Sequence, residues 1–260
     1  MDISQDTNLI YFFLFLISII ASFIDSIAGG GGLLTTPSML LVGINPLTVL
    51  GTNKFQSSFS TFTSTRNYFS NGYLTDVNKN KYFFLSFIGS SFGTLMVSRL
   101  SDEILRTLIP ILLISVAIFF IINRQVKSDL SKYIVLLTPV IFLIGFYDGF
   151  FGPGTGSFFV MLFIVFKNQT LLESTATSKL LNFGSNFAAF LIFAFQGYVL
   201  WDLGLIMAVG GVTGAYIGSK SAIKIGDKLI RPILVVVSIL LSLRILFSYC
   251  LLYTSPSPRD

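Results

Sequence analysis

The sequence predicts an all-α, polytopic membrane protein built from two inverted-topology repeats with broken, re-entrant helices. Three observations predict it: the scarcity of charge, the lengths of the apolar runs and an internal repetition. Of 260 residues only 17 are basic and 12 acidic, 11% together, whereas 53% are hydrophobic and 28 are phenylalanine. An ordinary soluble domain carries about 25% charged residues, and a soluble fold of this size lacks the polar surface to cover so much apolar side chain. Histidine is absent and Cys250 is the single cysteine. Histidine acid–base catalysis, His/Cys zinc sites and intrachain disulfides are therefore excluded, and no cofactor or metal is expected. The net charge of +5 is scattered along the chain. That argues against nucleic acid as a partner and suits loops with a positive-inside bias in a lipid bilayer.

A bilayer core of about 30 Å needs about 20 mostly apolar residues per helix. Residues 1–8 form an acidic flank with Asp2 and Asp6 and no basic segment, so the apolar run 9–28 reads as a retained helix rather than a cleaved signal. Further apolar runs cover residues 33–44, 82–97, 104–122, 133–151, 157–166, 171–195, 203–218 and 229–253. The runs 33–44 and 157–166 are too short to span. Each follows a glycine cluster and precedes a longer, more polar segment. Membranes tolerate such broken helices only where they are buried in protein or line a watery cavity. Residues 253–260 change character abruptly and read as a disordered tail or a foreign scar.

The chain repeats itself. The run Asp25-Ser-Ile-Ala-Gly29-Gly-Gly-Gly32 answers to Asp148-Gly-Phe-Phe-Gly152-Pro-Gly-Thr155 at an offset of 123. Thr52-Asn53-Lys54 answers to Thr177-Ser178-Lys179 at an offset of 125, and Gly89 and Gly93 answer to Gly210 and Gly214 at 121. The predicted organisation is a first transmembrane repeat over residues 9–122, a cytoplasmic linker over 123–132 and a second transmembrane repeat over 133–252. About eight membrane helices are expected by hydropathy, each broken hairpin counting once.

Charge placement sets the orientation. Arg66, Lys79 and Lys81 follow the polar segment of the first copy, whereas residues 196–202 of the second carry no base. The next loop reverses the bias: Arg99 and Arg106 stand against Lys220, Lys224, Lys228 and Arg231. Placing these two basic clusters and the linker bases Arg124, Lys127 and Lys132 inside leaves the N-terminus outside a cytoplasmic (inner) membrane. Equivalent loops then lie on opposite sides.

Four ionisable residues sit deep in the apolar context: Asp25, Lys54, Asp148 and Lys179, two per repeat at matching positions. Arg244 is a fifth, but it lies within reach of a membrane surface and can snorkel. A charge at a helix centre costs about 2.5–3.5 kcal/mol on insertion scales. Four such residues at related positions are expected to face one another or a cavity. Structural Asp–Lys pairs that lock helices together would use the same residues.

The glycine clusters, Gly29, Gly30, Gly31 and Gly32 in one copy and Gly152, Gly154 and Gly156 in the other, let the backbone turn sharply and approach a ligand. Free N–H groups near Leu33 and Ser157, at the starts of short helices, are expected to form an anion site. No Lys-Ser/Thr pair follows either cluster, so a phosphate loop is excluded. Gly89 and Gly93, by contrast, read as helix-packing glycines. Helical spacing gathers Asn53, Lys54, Ser57 and Ser58 in one copy, and Ser178, Lys179, Asn182 and Asn186 in the other. Amides, hydroxyls and an ammonium on one face suit an oxyanion; water-lined helix packing would use the same types.

These motifs resemble the sulfite exporter TauE/SafE family of membrane transporters, most closely its YfcA-like branch. The residues that carry the resemblance are Phe23-Ile-Asp-Ser-Ile-Ala-Gly-Gly-Gly-Gly-Leu-Leu-Thr-Thr-Pro37, Gly51-Thr-Asn-Lys54, Gly145-Phe-Tyr-Asp-Gly-Phe-Phe-Gly-Pro153 and Lys179-Leu-Leu-Asn182. The resemblance runs from about residue 9 to about residue 250. It implies a polytopic permease with duplicated halves, whose relatives are associated with sulfite, sulfoacetate and other sulfur-containing or organic anions. The second loop, Gly152-Pro-Gly-Thr-Gly156, departs from the Gly-x-Gly-Gly-Gly common elsewhere in the family and matches the YfcA-like branch.

The expected function is a permease for a small anion, sulfite, an organosulfonate or a related organic anion, working by alternating access on an ion or solute gradient. A membrane scaffold or assembly factor is the alternative. An intramembrane enzyme is a third reading, but a two-fold site gives no reason for one catalytic centre, so no enzymatic activity is expected. A homo-oligomer is compatible with the sequence.

Overall fold

A computed structural model describes residues 3–122 and 130–226. Expectations that rest on Asp2, on the bases Arg124, Lys127, Lys228 and Arg231, on Arg244 and Cys250, or on the apolar run 229–253 and the tail lie outside the described residues.

The chain is all-helical, with no strand among the described residues. Its elements are α1 (Ile3–Ala28), α2 (Gly32–Leu41), α3 (Pro46–Ser70), α4 (Lys79–Val97) and α5 (Asp102–Ile122), then a 3-10 turn (Ser131–Leu136) leading into α6 (Leu137–Phe150), α7 (Thr155–Lys167), α8 (Leu171–Phe195) and α9 (Trp201–Ile225). Among the described residues, four stretches are long and apolar enough to cross a membrane: Thr7–Ala28, Ser131–Phe150, Leu171–Phe195 and Trp201–Ile225. Helix α3 matches α8 in length at 25 residues but is far more polar. Helices α2 and α7, with 10 and 13 residues, are too short to span.

Local chemistry explains the boundaries. Gly29 and Gly30, at φ of 83° and 95°, end α1 in a conformation that side chains with a Cβ rarely adopt, and Gly152 and Gly154 repeat this before α7. Pro46 occupies the first turn of α3, where its missing N–H costs nothing. Thr170 and Glu173 form a reciprocal capping box that starts α8.

The bundle buries many polar side chains beside its apolar clusters and exposes many large apolar ones. Phe12, Leu16 and Ile20 of α1 and Phe84, Ile88 and Phe92 of α4 are exposed at one-turn spacing. The buried residues of α3 include Thr52, Asn53, Lys54, Gln56 and Ser58, while Phe59, Phe62 and Phe69 of the same helix point outward. Water as the sole solvent would reverse this arrangement; lipid requires it.

Helices α3 and α8 pack together at the centre, and the rest is arranged reciprocally: α9 lies on both α1 and α3, and α4 on both α6 and α8. Helix α2 lies against α1 and α3 as α7 lies against α6 and α8. Gly89 and Gly93 bring α4 onto the carbonyls of Phe142 and Phe146 in α6, and Gly210 and Gly214 bring α9 onto those of Phe15 and Ile19 in α1. A Cβ at any of these four glycines would overlap backbone, so the pairing glycines serve close helix packing.

Helices α3 and α8 run antiparallel. At one end Asp76, which follows α3, binds Lys167 (3.1 Å) and Gln169 (3.3 Å), which precede α8. At the other, Thr52 near the start of α3 accepts a 3.0 Å hydrogen bond from the Leu200 amide, just past the end of α8.

Candidate functional site

The two glycine loops meet. The Ser157 hydroxyl donates a 2.8 Å hydrogen bond to the Ala28 carbonyl, and a Cβ on Gly29 would fall on the backbone of Gly156 and Ser157. Ser178 of α8 donates to the Gly156 carbonyl at 2.7 Å, tying the second loop to the central helix. The breaks in the two broken helices are thus brought to one place between α3 and α8.

Both lysines end at this junction, and each pairs with the aspartate of the other half. Lys54 Nζ lies 2.8 Å from Asp148 Oδ1 and 3.0 Å from Asn186 Oδ1. Lys179 Nζ lies 2.9 Å from Asp25 Oδ2. Lys54 and Lys179 are 1% and 0% exposed, which is tenable for an ammonium only because carboxylates compensate it. The junction thus holds two basic and two acidic side chains.

The carboxylates differ. Asp25 uses both oxygens, since Oδ1 also accepts a hydrogen bond of 3.1 Å from the Gly31 amide. Asp148 is 2% exposed, and its Oδ2 accepts no hydrogen bond.

A small cavity opens among these groups, with about 20 Å³ of free volume, room for about one water molecule. Asp25, Lys54 and Asp148 line it together with Asn53, Ser57, Asn182 and Asn186. The backbone contributes Gly30, Gly32, Gly152, Gly154 and Gly156. Asn53 accepts a 2.6 Å hydrogen bond from Thr35, and Asn182 accepts from Asn186, so the NH2 groups of Asn53 and Asn182 remain donors beside the cavity.

The remaining candidates stand just behind the wall. Lys179 is screened by Asp25, Gly31 serves that carboxylate, and Gly29 is spent on the contact between loops. Of the amides at the starts of the short helices, those of Leu33 and Ser157 are engaged. The Leu33 amide donates to Gly30 O at 2.9 Å and the Ser157 amide to Gly154 O at 3.0 Å, because both helices open with tight turns that consume them. Ser58 also turns inward on its own helix, donating to the Lys54 carbonyl at 2.7 Å.

Thr61 and Thr155 line the cavity as well and were not among the candidates. Thr61 follows Ser57 by one helical turn and donates to its carbonyl, so extending the i/i+4 stripe would have found it. Thr155 had no such signal, since its place depends on how the second loop folds back to Gly152.

Among the described residues, no cluster of acidic, cysteine or histidine side chains could hold a metal ion. An all-helical bundle with an apolar exterior, two broken helices meeting at its centre and buried crosswise ion pairs defines a multi-pass membrane protein with an internal polar site. The family model described as sulfite exporter TauE/SafE matches residues 14–245, and the chain belongs to that family. It is 44% identical over 239 residues to the probable membrane transporter protein ORF9 of Sinorhizobium sp., covering 90% of this chain and 91% of the relative. It is 36% identical to the probable membrane transporter protein YfcA of Escherichia coli K12 over 90% of this chain and 88% of the relative. A probable membrane transporter protein of Haemophilus influenzae is 34% identical over 95% of this chain and 97% of the relative. No solved structure matches the chain.

Proposed function

We propose that the protein is a permease for a small anion, with sulfite, organosulfonates and related organic anions as the substrate class. The observation that carries this reading is the pair of buried lysines, each balanced by an aspartate of the other half, at the junction of two broken helices. Paired broken helices with ionisable groups at their junction are the recurring pattern of secondary-transporter sites. Lys54 is the cation that borders the cavity, and Asn53, Asn182 and Ser57 supply hydrogen-bond donors around it. This donor-rich set suits a compact oxyanion. The family description and the relatives' names, which speak of a sulfite exporter and of membrane transporters, agree with this reading.

The cavity holds about one water molecule, so a multi-atom anion enters only when the halves separate. Transport then proceeds by alternating access, powered by an ion or solute gradient. The antiparallel run of α3 and α8 and the reciprocal packing of the flanking helices support an inverted repeat. In that arrangement opening one way is the mirror of opening the other. The protein sits in the cytoplasmic membrane with its N-terminus outside, the orientation that puts the basic loops in the cytoplasm.

Reconstituted into proteoliposomes, the protein is expected to carry sulfite or sulfonates, with flux lost in Lys54→Ala and Lys179→Ala. Unchanged flux in both variants would remove the proposed site.

A further inference from the structure

The two Asp–Lys pairs are related by the repeat, yet their surroundings differ in one respect. Asp25 is held at both oxygens, by Lys179 and by the Gly31 amide. In the second loop Pro153 stands where the first has Gly30. The Tyr147 hydroxyl donates 2.7 Å to the Pro153 carbonyl, and the Gly154 backbone takes a left-handed turn at φ 88°. No amide reaches Asp148, whose Oδ2 is buried without a partner while the residue lines the cavity.

From this asymmetry we propose that Asp148, and not Asp25, carries a proton whenever the site holds its anion, making the protein a proton–anion symporter. The inference rests on the anion reading above. The two pairs bring two basic and two acidic side chains, which balance as two ammoniums and two carboxylates. An anion that draws on Lys54 leaves Asp148 facing a second negative charge with its only cationic partner shared, an arrangement a buried site does not sustain. A proton from the aqueous side of the open site adds to a lone pair of Oδ2. The Lys54–Asp148 ion pair is replaced by a Lys54–anion pair, and Lys54 keeps its own protons throughout. The new O–H is a donor, so the group that repelled the anion now binds it. Asp25 has no comparable need, because Lys179 holds one of its oxygens and the Gly31 amide the other.

The ionisable groups around Asp148 are few. Lys54 of α3 pairs with it, Tyr147 of α6 stands one residue away, Asp25 of α1 shares the cavity, and Lys179 of α8 is engaged by Asp25. Helix α4 packs on α6 through Ser86 and Ser90, and its Lys79, Lys81 and Tyr82 stand near the opposite end. Lys167 of α7 is engaged by Asp76 at the end of the bundle. A bound alkali cation would need several oxygen ligands, whereas Asp148 Oδ2 is a single unpartnered carboxylate oxygen on a residue already paired with Lys54.

Methanesulfonate is the suitable probe, because its own charge does not change between pH 5 and 9, as that of sulfite does. Titration calorimetry of the purified protein in buffers of different ionisation enthalpy counts the protons taken up with the anion. The expected result is one proton per anion near neutral pH, with affinity falling about tenfold per pH unit on the alkaline side. Asp148→Asn places a permanent NH2 donor at the same point. It is expected to take up no proton and to bind with an affinity independent of pH, while Asp25→Asn keeps the proton uptake whatever its affinity. Infrared difference spectra of the wild type should gain a protonated-carboxyl band on anion binding, absent in Asp148→Asn. Anion binding without proton uptake, or uptake that survives Asp148→Asn, would overturn the inference and leave the anion site standing. Affinity that follows sodium instead of protons would also overturn it. If methanesulfonate, sulfite and sulfoacetate all fail to bind folded protein, the anion reading falls and takes this inference with it.

Discussion

Lys54 Nζ and Asp148 Oδ1 lie 2.8 Å apart across 94 residues of chain, both buried, one on each half of the molecule. The reciprocal contact, Lys179 with Asp25, spans 154 residues at 2.9 Å. Two ionic contacts between distant parts of the chain thus border or back the same cavity.

Breaking one partner of such a pair strands the other in low dielectric. Lys54→Met should destabilise the protein by about 3–5 kcal/mol. The double variant Lys54→Met/Asp148→Leu should recover most of that loss while remaining inactive in transport. Thermal unfolding in detergent separates the two outcomes. A double variant no more stable than the single would show that the pair is not what the site depends on for folding.

Gly29 is at φ 83°, and its missing side chain is what admits the Gly156–Ser157 backbone. Gly29→Ala adds both backbone strain and an overlap, so it should cost more stability than Ser157→Ala. The latter removes only the hydrogen bond to the Ala28 carbonyl, worth about 1 kcal/mol. Comparing the two unfolding midpoints tests whether the loop junction is as tight as described.

Close packing of α4 on α6 makes a separate prediction. Gly93 faces the Phe146 carbonyl with no room for a Cβ. Gly93→Leu should push the helices apart and destabilise by about 1–3 kcal/mol, with Gly72→Ala as the contrasting case, since a Cβ there meets nothing within 4 Å and the cost is confined to its φ of 78°. Equal losses in the two variants would count against the packing account.

Cysteines placed at Asn78 and at Gly226 should resist a membrane-impermeant thiol reagent added outside, whereas one at Gln196 should react. Asn78 follows α3 and Gly226 follows α9, while Gln196 meets Ser98 at the opposite end of α4. Outside labelling at Asn78 or Gly226 would refute the orientation.

Much of this was legible without coordinates. The apolar runs 157–166, 171–195 and 203–218 correspond to α7 (Thr155–Lys167), α8 (Leu171–Phe195) and α9 (Trp201–Ile225). Twelve of the fifteen candidate residues line one cavity, and the other three lie directly behind it. The Leu33 and Ser157 amides themselves turn to Gly30 O and Gly154 O, because a glycine turn announces flexibility but not which carbonyl the next amide will meet.

The sequence by itself determined the solvent, the helices and the identity of the unusual residues. A charge in an apolar run is conspicuous on energetic grounds alone, and glycine clusters mark breaks wherever they occur. Partnership was decided only by the tertiary structure. Nothing in the spacing says that Lys54 pairs with Asp148 rather than with Asp25, or that Asp148 keeps one oxygen without a donor. Those facts follow from α3 and α8 lying antiparallel and from the turn of the second loop, where no amide reaches Asp148 as the Gly31 amide reaches Asp25. Hydrogen bonds across 94 and 154 residues depend on distances of tenths of an ångström, which no local pattern encodes.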